Sequence, residues 1–153
     1  MDTQITRLKP GERHTARKLF IAMAEVFEET CEDLSDTWID HLLAREDFWA
    51  IAAFADDQII GGITAHTLPM TRAASSELFI YDVAVRAGYQ RKGVGRLLIA
   101  HLRRIAAASG IPVLFVAAEN QDSHALDFYR ALGGAPAQVT MFTFEHQAFS
   151  MDP

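Results

Sequence analysis

The stretch ELFIYDVAVRAGYQRKGVGRLLIAHL, residues 77–102, decides the reading of this chain. Its first nine residues are aromatic and β-branched, the content of a buried central strand. From Val94 the apolar positions 94, 97, 98, 102 and 105 recur at helical spacing, and Ser109-Gly110 is a suitable stop. Between strand and helix lies a loop with Gly93 and Gly95 among Arg91, Lys92 and Arg96. A glycine loop that opens a helix turns backbone N–H groups and the positive end of the helix dipole toward one anion. Lys92 precedes the glycines and no Gly-Lys-Ser/Thr follows, so the loop is not a Walker A motif. Gly93-Val94-Gly95 also lacks the third glycine of a dinucleotide fingerprint.

Charge supports an anion site. Residues 86–104 hold six of the 14 basic residues and none of the 20 acidic ones, inside a chain of net charge -6. The acids gather instead at Glu25, Glu28, Glu29, Glu32, Asp33, Asp36 and Asp40, a run that reads either as a solvated helix face or as a surface for a cation. One short basic cluster in an acidic protein does not provide the broad basic face that nucleic acid requires. No apolar run approaches a membrane span, and the N-terminus lacks a signal peptide's apolar core, so a cytoplasmic protein is expected. The one cysteine, Cys31, excludes an internal disulfide, and no spacing suggests a metal site.

Outward from the loop, 153 residues match a single domain, 1–153. Residues 3–9 read as a first strand, Glu12 to Phe27 as an amphipathic helix, and Ser35 or Asp36 as the cap of a second helix ending near Arg45. FWAIAAF (48–54) and QIIGGITAHTL (58–68) form a hairpin around Asp56-Asp57, with Gly61-Gly62 marking a bulge or close approach. IPVLFVAAE (111–119) is a strand parallel to the first if the helix between them is a right-handed crossover. A short helix runs from Asp122 or Ser123 to Leu132, Gly133-Gly134 stops it, and QVTMFTFEH (138–146) alternates as a closing strand.

The hexapeptide Gln90-Arg91-Lys92-Gly93-Val94-Gly95, after a Val-Ala-Val strand, resembles the acetyl-CoA loop of the GCN5-related N-acetyltransferases. From Phe48 to Phe144 the resemblance narrows to the gentamicin- and fortimicin-type aminoglycoside 3-N-acetyltransferases, with Tyr81-Asp82 before Val83-Ala84-Val85 as the signature. The acidic run matches that group less clearly. The resemblance implies a mixed α/β fold whose central, mostly antiparallel sheet is flanked by helices, with splayed parallel strands at the cofactor. It implies acetyl-CoA as cofactor, held by Gln90, Arg91, Lys92, Gly93, Val94, Gly95, Arg96 and Asn120, with the backbone of Val83, Ala84 and Val85 along the pantetheine arm.

Asp82 is then expected to be the general base, taking an amine proton directly or through water; a carboxylate paired for structure is the alternative. Tyr129 matches the family's tyrosine near the CoA sulfur, where it would contact the cofactor and protonate the thiolate, against the alternative of core packing. Glu28, Asp33, Tyr81, Asp82, Glu119 and Asp122 are expected to bind the acceptor. The acidic surplus suits a polycation such as an aminoglycoside. A polyamine or peptide amine, or a nonenzymatic acetyl-CoA-binding module, stays open. Cys31, ringed by acids, is a poor nucleophile, and His101 reads as structural. Relatives with this fold often form homodimers.

Overall fold

The computed structural model describes residues 1–146. The chain divides into two compact units, residues 1–117 and the segment from 118 onward. The first unit holds strand β1 (Gln4–Arg7), helices α1 (Arg13–Val26) and α2 (Asp36–Ala44), and strands β2 (Phe48–Ala55), β3 (Gln58–Pro69) and β4 (Ser76–Val85). A 3-10 turn (Ala87–Tyr89), helix α3 (Val94–Ala108) and strand β5 (Val113–Val116) complete it. The second unit contains helix α4 (Ser123–Ala131).

The five strands form one sheet in sequence order. The first three pairings are antiparallel and β4–β5 is parallel, which α3 makes possible as the crossover. Local chemistry accounts for the boundaries. Asp56 and Asp57 take φ of 49° and 59°, the left-handed pair of a tight hairpin turn. The Ser35 side chain accepts from Trp38 N–H at 3.1 Å and starts α2.

Helices α1 and α2 pack Leu19, Met23, Ile39 and Leu43 against Phe48, Ala50, Ala52 and Ala84 on one sheet face. The alternate residues Ile51 and Ile63 point to the other face, where α3 brings Val94, Leu98 and Leu102, all nearly inaccessible. Gly61 and Gly62 permit this closeness. A Cβ on Gly61 would sit 2.6 Å from the Ala84 carbonyl oxygen, and one on Gly62 would sit 2.4 Å from Leu19. Both expected features occur here, since the β2–β3 register also slips between Ala53 and Phe54.

Two expectations change. The strand expected at 111–119 shortens to Val113–Val116. The expected closing strand over 138–146 is absent: residues 138–145 carry no strand, and Val139, Met141, Phe142 and Phe144 are 74–79% exposed. Alternation gives a segment the capacity to pair, but a strand exists only where a neighbouring edge accepts it.

Candidate active site

Strand β4 pairs with β5 only from Glu77 to Ile80, while its pairing with β3 continues to Val85. From Tyr81 to Val85 the edge that faced β5 is therefore open, the splay expected from the sequence. Val85 shows its direction. Arg86 N–H donates back to Ile60 O at 2.8 Å, so the Val85 carbonyl of the same peptide faces away from β3, where the Gln90 side-chain amide donates to it at 2.9 Å. Gln90 thus ties the glycine loop to the end of the strand.

The loop then turns through two left-handed residues, Arg91 (φ 60°) and Gly93 (φ 83°). Gly93 caps α3, whose first helical hydrogen bond runs from Leu97 N–H to Gly93 O at 3.0 Å. The N–H groups of Val94, Gly95 and Arg96 lie ahead of that ladder, at the positive end of the helix. Alternating left-handed residues followed by free helix-start N–H groups form an anion concavity. Exposed Arg91, Lys92 and Arg96 add charge around it. The Lys92 ammonium lies 5.6 Å from the Tyr89 ring centre. These residues fit a phosphate-bearing cofactor.

A β-bulge sets the chemistry on the open edge. Thr64 pairs with Asp82 and Ala65 with Ile80, which leaves Tyr81 as the extra residue. The Tyr81 ring meets His66 at 6.0 Å and Phe79 at 5.9 Å, so it shares their face. Asp82, in register with Thr64 and two residues before Ala84 of the α1-facing core, points to that side too. Neighbouring residues that would normally alternate now face the same way. Rings continue along the sheet from Phe48 through His66, Tyr81 and Phe79 to Phe115, with Phe79 and Phe115 stacked at 5.1 Å. Tyr81 is 60% exposed at the centre of this stripe.

Asp82 is half-buried and has no basic partner among the described residues. Burial pushes its carboxyl above the ordinary carboxylate range, and the negative charge of Glu29 pushes it further. Both effects make the carboxylate a better proton acceptor. Glu29 reaches this position through the end of α1. Phe27 caps the helix, Glu28 takes the left-handed position (φ 57°), and Glu29 N–H donates back to Ala24 O at 3.0 Å.

The acidic run divides in two. Arg13 pairs with Asp36 and Asp40, and Arg17 pairs with Asp33 at 3.6 Å and with Asp36 at 2.5 Å. Arg13 accordingly holds the Asp40 carboxyl below its ordinary value. Asp33, expected to face substrate, lies beside a guanidinium of α1. Glu28, Glu29 and Glu32 have no ion pair among the described residues. Glu29, whose charge acts on Asp82, is the candidate residue that the sequence left inside a run; the signal was its place two residues beyond the cap of a helix.

The remaining expected residues belong to the second unit. The Asp122 side chain caps α4 by accepting from Ala125 N–H at 3.0 Å, and its own N–H donates to Glu119 O. Glu119 and Asn120 are exposed in the preceding turn. Tyr129 lies in α4 with its ring 5.1 Å from that of Phe128. His101 contacts Arg104 at 3.0 Å, and burial followed by Arg104 pulls its pKa down, in keeping with a structural role. Among the described residues no three His, Cys, Asp or Glu side chains gather as a metal site, and no helix is long and apolar enough to cross a membrane.

A mostly antiparallel sheet, a splayed parallel pair and an anion-binding loop at the splay define an acyl-CoA N-acyltransferase fold. Residues 13–133 match the acetyltransferase (GNAT) family, and the chain belongs to it. Among solved structures it is similar to the aminoglycoside acetyltransferase HMB0005 from an uncultured soil metagenomic sample, at 29% identity over 95% of this chain and 99% of that one, with a TM-score of 0.90. It is likewise similar to the aminoglycoside acetyltransferase meta-AAC0020 from an uncultured soil metagenomic sample, solved with trehalose, at 30% identity, 94% and 95% coverage and a TM-score of 0.89. That relative has also been solved with sisomicin. AAC(6')-Iy, in complex with a CoA bisubstrate analogue, shares the fold at 17% identity, 95% and 99% coverage and a TM-score of 0.80. Among curated proteins nothing matches.

Proposed function

We propose that this protein is an acetyl-CoA-dependent aminoglycoside N-acetyltransferase. It is read as one catalytic domain of the cytoplasm that modifies the 3-amino group of its acceptor by direct transfer in a ternary complex. The observation that carries the reading is the open edge of β4 from Tyr81 to Val85, which holds the half-buried Asp82 and to whose end Gln90 ties the loop of left-handed Arg91 and Gly93. The likeness to HMB0005 and meta-AAC0020 over nearly the whole chain supports the acceptor class.

Acetyl-CoA, when bound, supplies an activated acetyl thioester. In this reading the N–H groups of the loop hold its pyrophosphate, with Gln90, Arg91, Lys92 and Arg96 around them, and the open edge of Val83, Ala84 and Val85 offers backbone partners to an extended arm. Asp82 takes a proton from the acceptor ammonium, and a carboxyl raised by burial and Glu29 is better matched to that task than a free one. Glu28, Glu29 and Glu32 hold the acceptor's other ammonium groups, and the exposed Tyr81 ring lies against a saturated ring. Asn120 as a cofactor contact, Glu119 and Asp122 as acceptor contacts, and Tyr129 as the proton donor are the roles that the family resemblance implies for the second unit. The working unit is a pair of identical chains, supported by the apolar surface that one chain leaves in water.

The test is CoA thiol release by purified protein with acetyl-CoA and a panel of sisomicin, gentamicin, spermidine and a lysine peptide, followed by NMR mapping of the product. Turnover of an aminoglycoside with acetyl at the 3-amine is the expected result. Acetyl at the 6'-amine would keep the enzyme class and overturn the position. Turnover of spermidine or peptide alone would overturn the acceptor.

A further inference from the structure

One imidazole interrupts a row of phenylalanines across the sheet. Phe48 of β2 stands opposite His66 of β3, His66 opposite Phe79 of β4, and Phe79 opposite Phe115 of β5. Strand alternation puts His66 on the face of Gly62, where an added Cβ would meet Leu19 of α1 at 2.4 Å. That is also the face of Tyr81 and Asp82. The His66 ring lies 5.4 Å from that of Phe48 and 6.0 Å from that of Tyr81.

The fold makes no use of the polar atoms of this ring. Phenylalanine would fill the same place between Phe48 and Tyr81, yet the residue is a half-buried histidine. Neither of its nitrogens has a hydrogen-bond or ion-pair partner among the described residues. Asp47, whose carboxyl is held low chiefly by Arg45 and least by His66, is bound by Arg45 at 2.8 and 2.9 Å. A polar ring without a protein partner costs more than an apolar ring of the same shape, unless a ligand supplies the partner.

The register says which ligand group comes within reach. Asp82 stands opposite Thr64, two residues from His66 along β3. His66 and Asp82 are therefore diagonal neighbours on one face, with backbones about 7–8 Å apart. Tyr81, 60% exposed, lies against His66. We infer that His66 is a specificity-determining residue of the acceptor site, whose imidazole hydrogen-bonds a hydroxyl or amino substituent of the saturated ring lying on Tyr81. The inference rests on the aminoglycoside reading and adds a contact to that same site. A neutral imidazole offers one donor and one acceptor, which a hydroxyl can satisfy on either side. A linear polyamine brings ammonium groups and no hydroxyl, so His66 favours an amino sugar over it.

The experiment is steady-state CoA release by the wild type, His66→Phe and His66→Gln, with sisomicin and spermidine as acceptors. Thermal melts check each fold. The phenylalanine keeps the ring and removes the nitrogens, while the glutamine restores a donor and an acceptor without the ring. His66→Phe should raise the sisomicin KM about 10-fold, with kcat and the acetyl-CoA KM within about twofold of wild type. His66→Gln should recover most of that loss, and neither change should raise the KM of any spermidine turnover.

A wild type that turns over no aminoglycoside would overturn the functional reading and this contact with it. An active wild type whose sisomicin KM is unchanged in His66→Phe would overturn the contact alone. An equal rise in the acetyl-CoA KM would assign His66 to the sheet and overturn it as well. If His66→Phe does not fold, 15N NMR of the wild-type imidazoles, assigned with His66→Gln and titrated with sisomicin in the presence of CoA, decides the matter. Movement of the His66 nitrogen signals supports the contact, and signals that stay in place overturn it.

Discussion

The C-terminal end of α1 and the N-terminal end of α3 break the same electrostatic rule in opposite directions. Glu25, Glu28 and Glu29 gather at the negative end of α1, which has no basic residue in its last turn. Arg91, Lys92 and Arg96 gather at the positive end of α3, which has no acid in its first turn. Arg86 pairs with Glu25 at 3.0 Å, but Glu28 and Glu29 at one end and Arg91, Lys92 and Arg96 at the other have no ion pair among the described residues, so each end costs stability without a ligand and offers a field to one. The means differ. At α3 the contact surface is backbone N–H held by left-handed geometry, so side chains there are replaceable except where the backbone needs glycine. At α1 the contact surface is carboxylate, and the geometry is tolerated: Glu28 occupies the left-handed position that glycine fills at lower cost.

The widest effect expected on this contrast is at Asp82, the carboxyl that the charge of Glu29 pushes upward. Asp82→Asn should lower kcat by about 100- to 10,000-fold while leaving acceptor KM nearly unchanged, read by steady-state CoA release. Unaltered turnover would remove Asp82 from the reaction. Gly93→Val should weaken acetyl-CoA binding by about 10- to 100-fold, since a β-branched residue is strained at φ 83°. Calorimetric titration of acetyl-CoA measures it, and unchanged affinity would mean that the loop's backbone is not the anion site.

Glu29→Gln should sharpen the comparison without abolishing either end. As the proposed base Asp82 works as the carboxylate, so activity should fall as pH drops through its raised pKa, at higher pH than for a free carboxylate. Removing the Glu29 charge lowers that pKa and moves the acid limb of the kcat profile to lower pH. A limb that stays in place would separate Glu29 from Asp82. The smallest effect belongs to Glu28→Gly, which should stabilise the fold by about 1 kcal/mol in thermal melts while raising acceptor KM. A more stable protein with unchanged KM would assign Glu28 to the helix end alone.

The sequence carried the loop, the Asp56-Asp57 turn, the Ser35 cap and the β4–α3–β5 crossover, because each depends on residues within one turn or one helix of each other. What it did not carry depends on distant partners. The division of the acidic run needs Arg13 and Arg17, which only the packing of α1 on α2 brings to Asp33, Asp36 and Asp40. Tyr81-Asp82 stood out as a pair, but its physical meaning is a one-residue slip against Thr64 and Ala65, and a register is invisible in one strand alone. Residues 138–145 show the opposite error. Their alternation is real, and the strand it promised needs an edge that residues 138–145 do not themselves contain.

Gly61 and Gly62 leave no room for a side chain between β3, Ala84 and Leu19. Two residues from Ala84 along the same strand lies Asp82. A side chain at Gly61 would therefore press on the strand that carries Asp82, and one at Gly62 on Leu19 and the Ile51 carbonyl, whereas Glu28, Glu29 and Glu32 stand on exposed chain. Adaptation to a new acceptor has an open route through the acidic run and a closed one through the glycine pair. Lineages of this chain would diversify in what they modify long before they could alter how they do it.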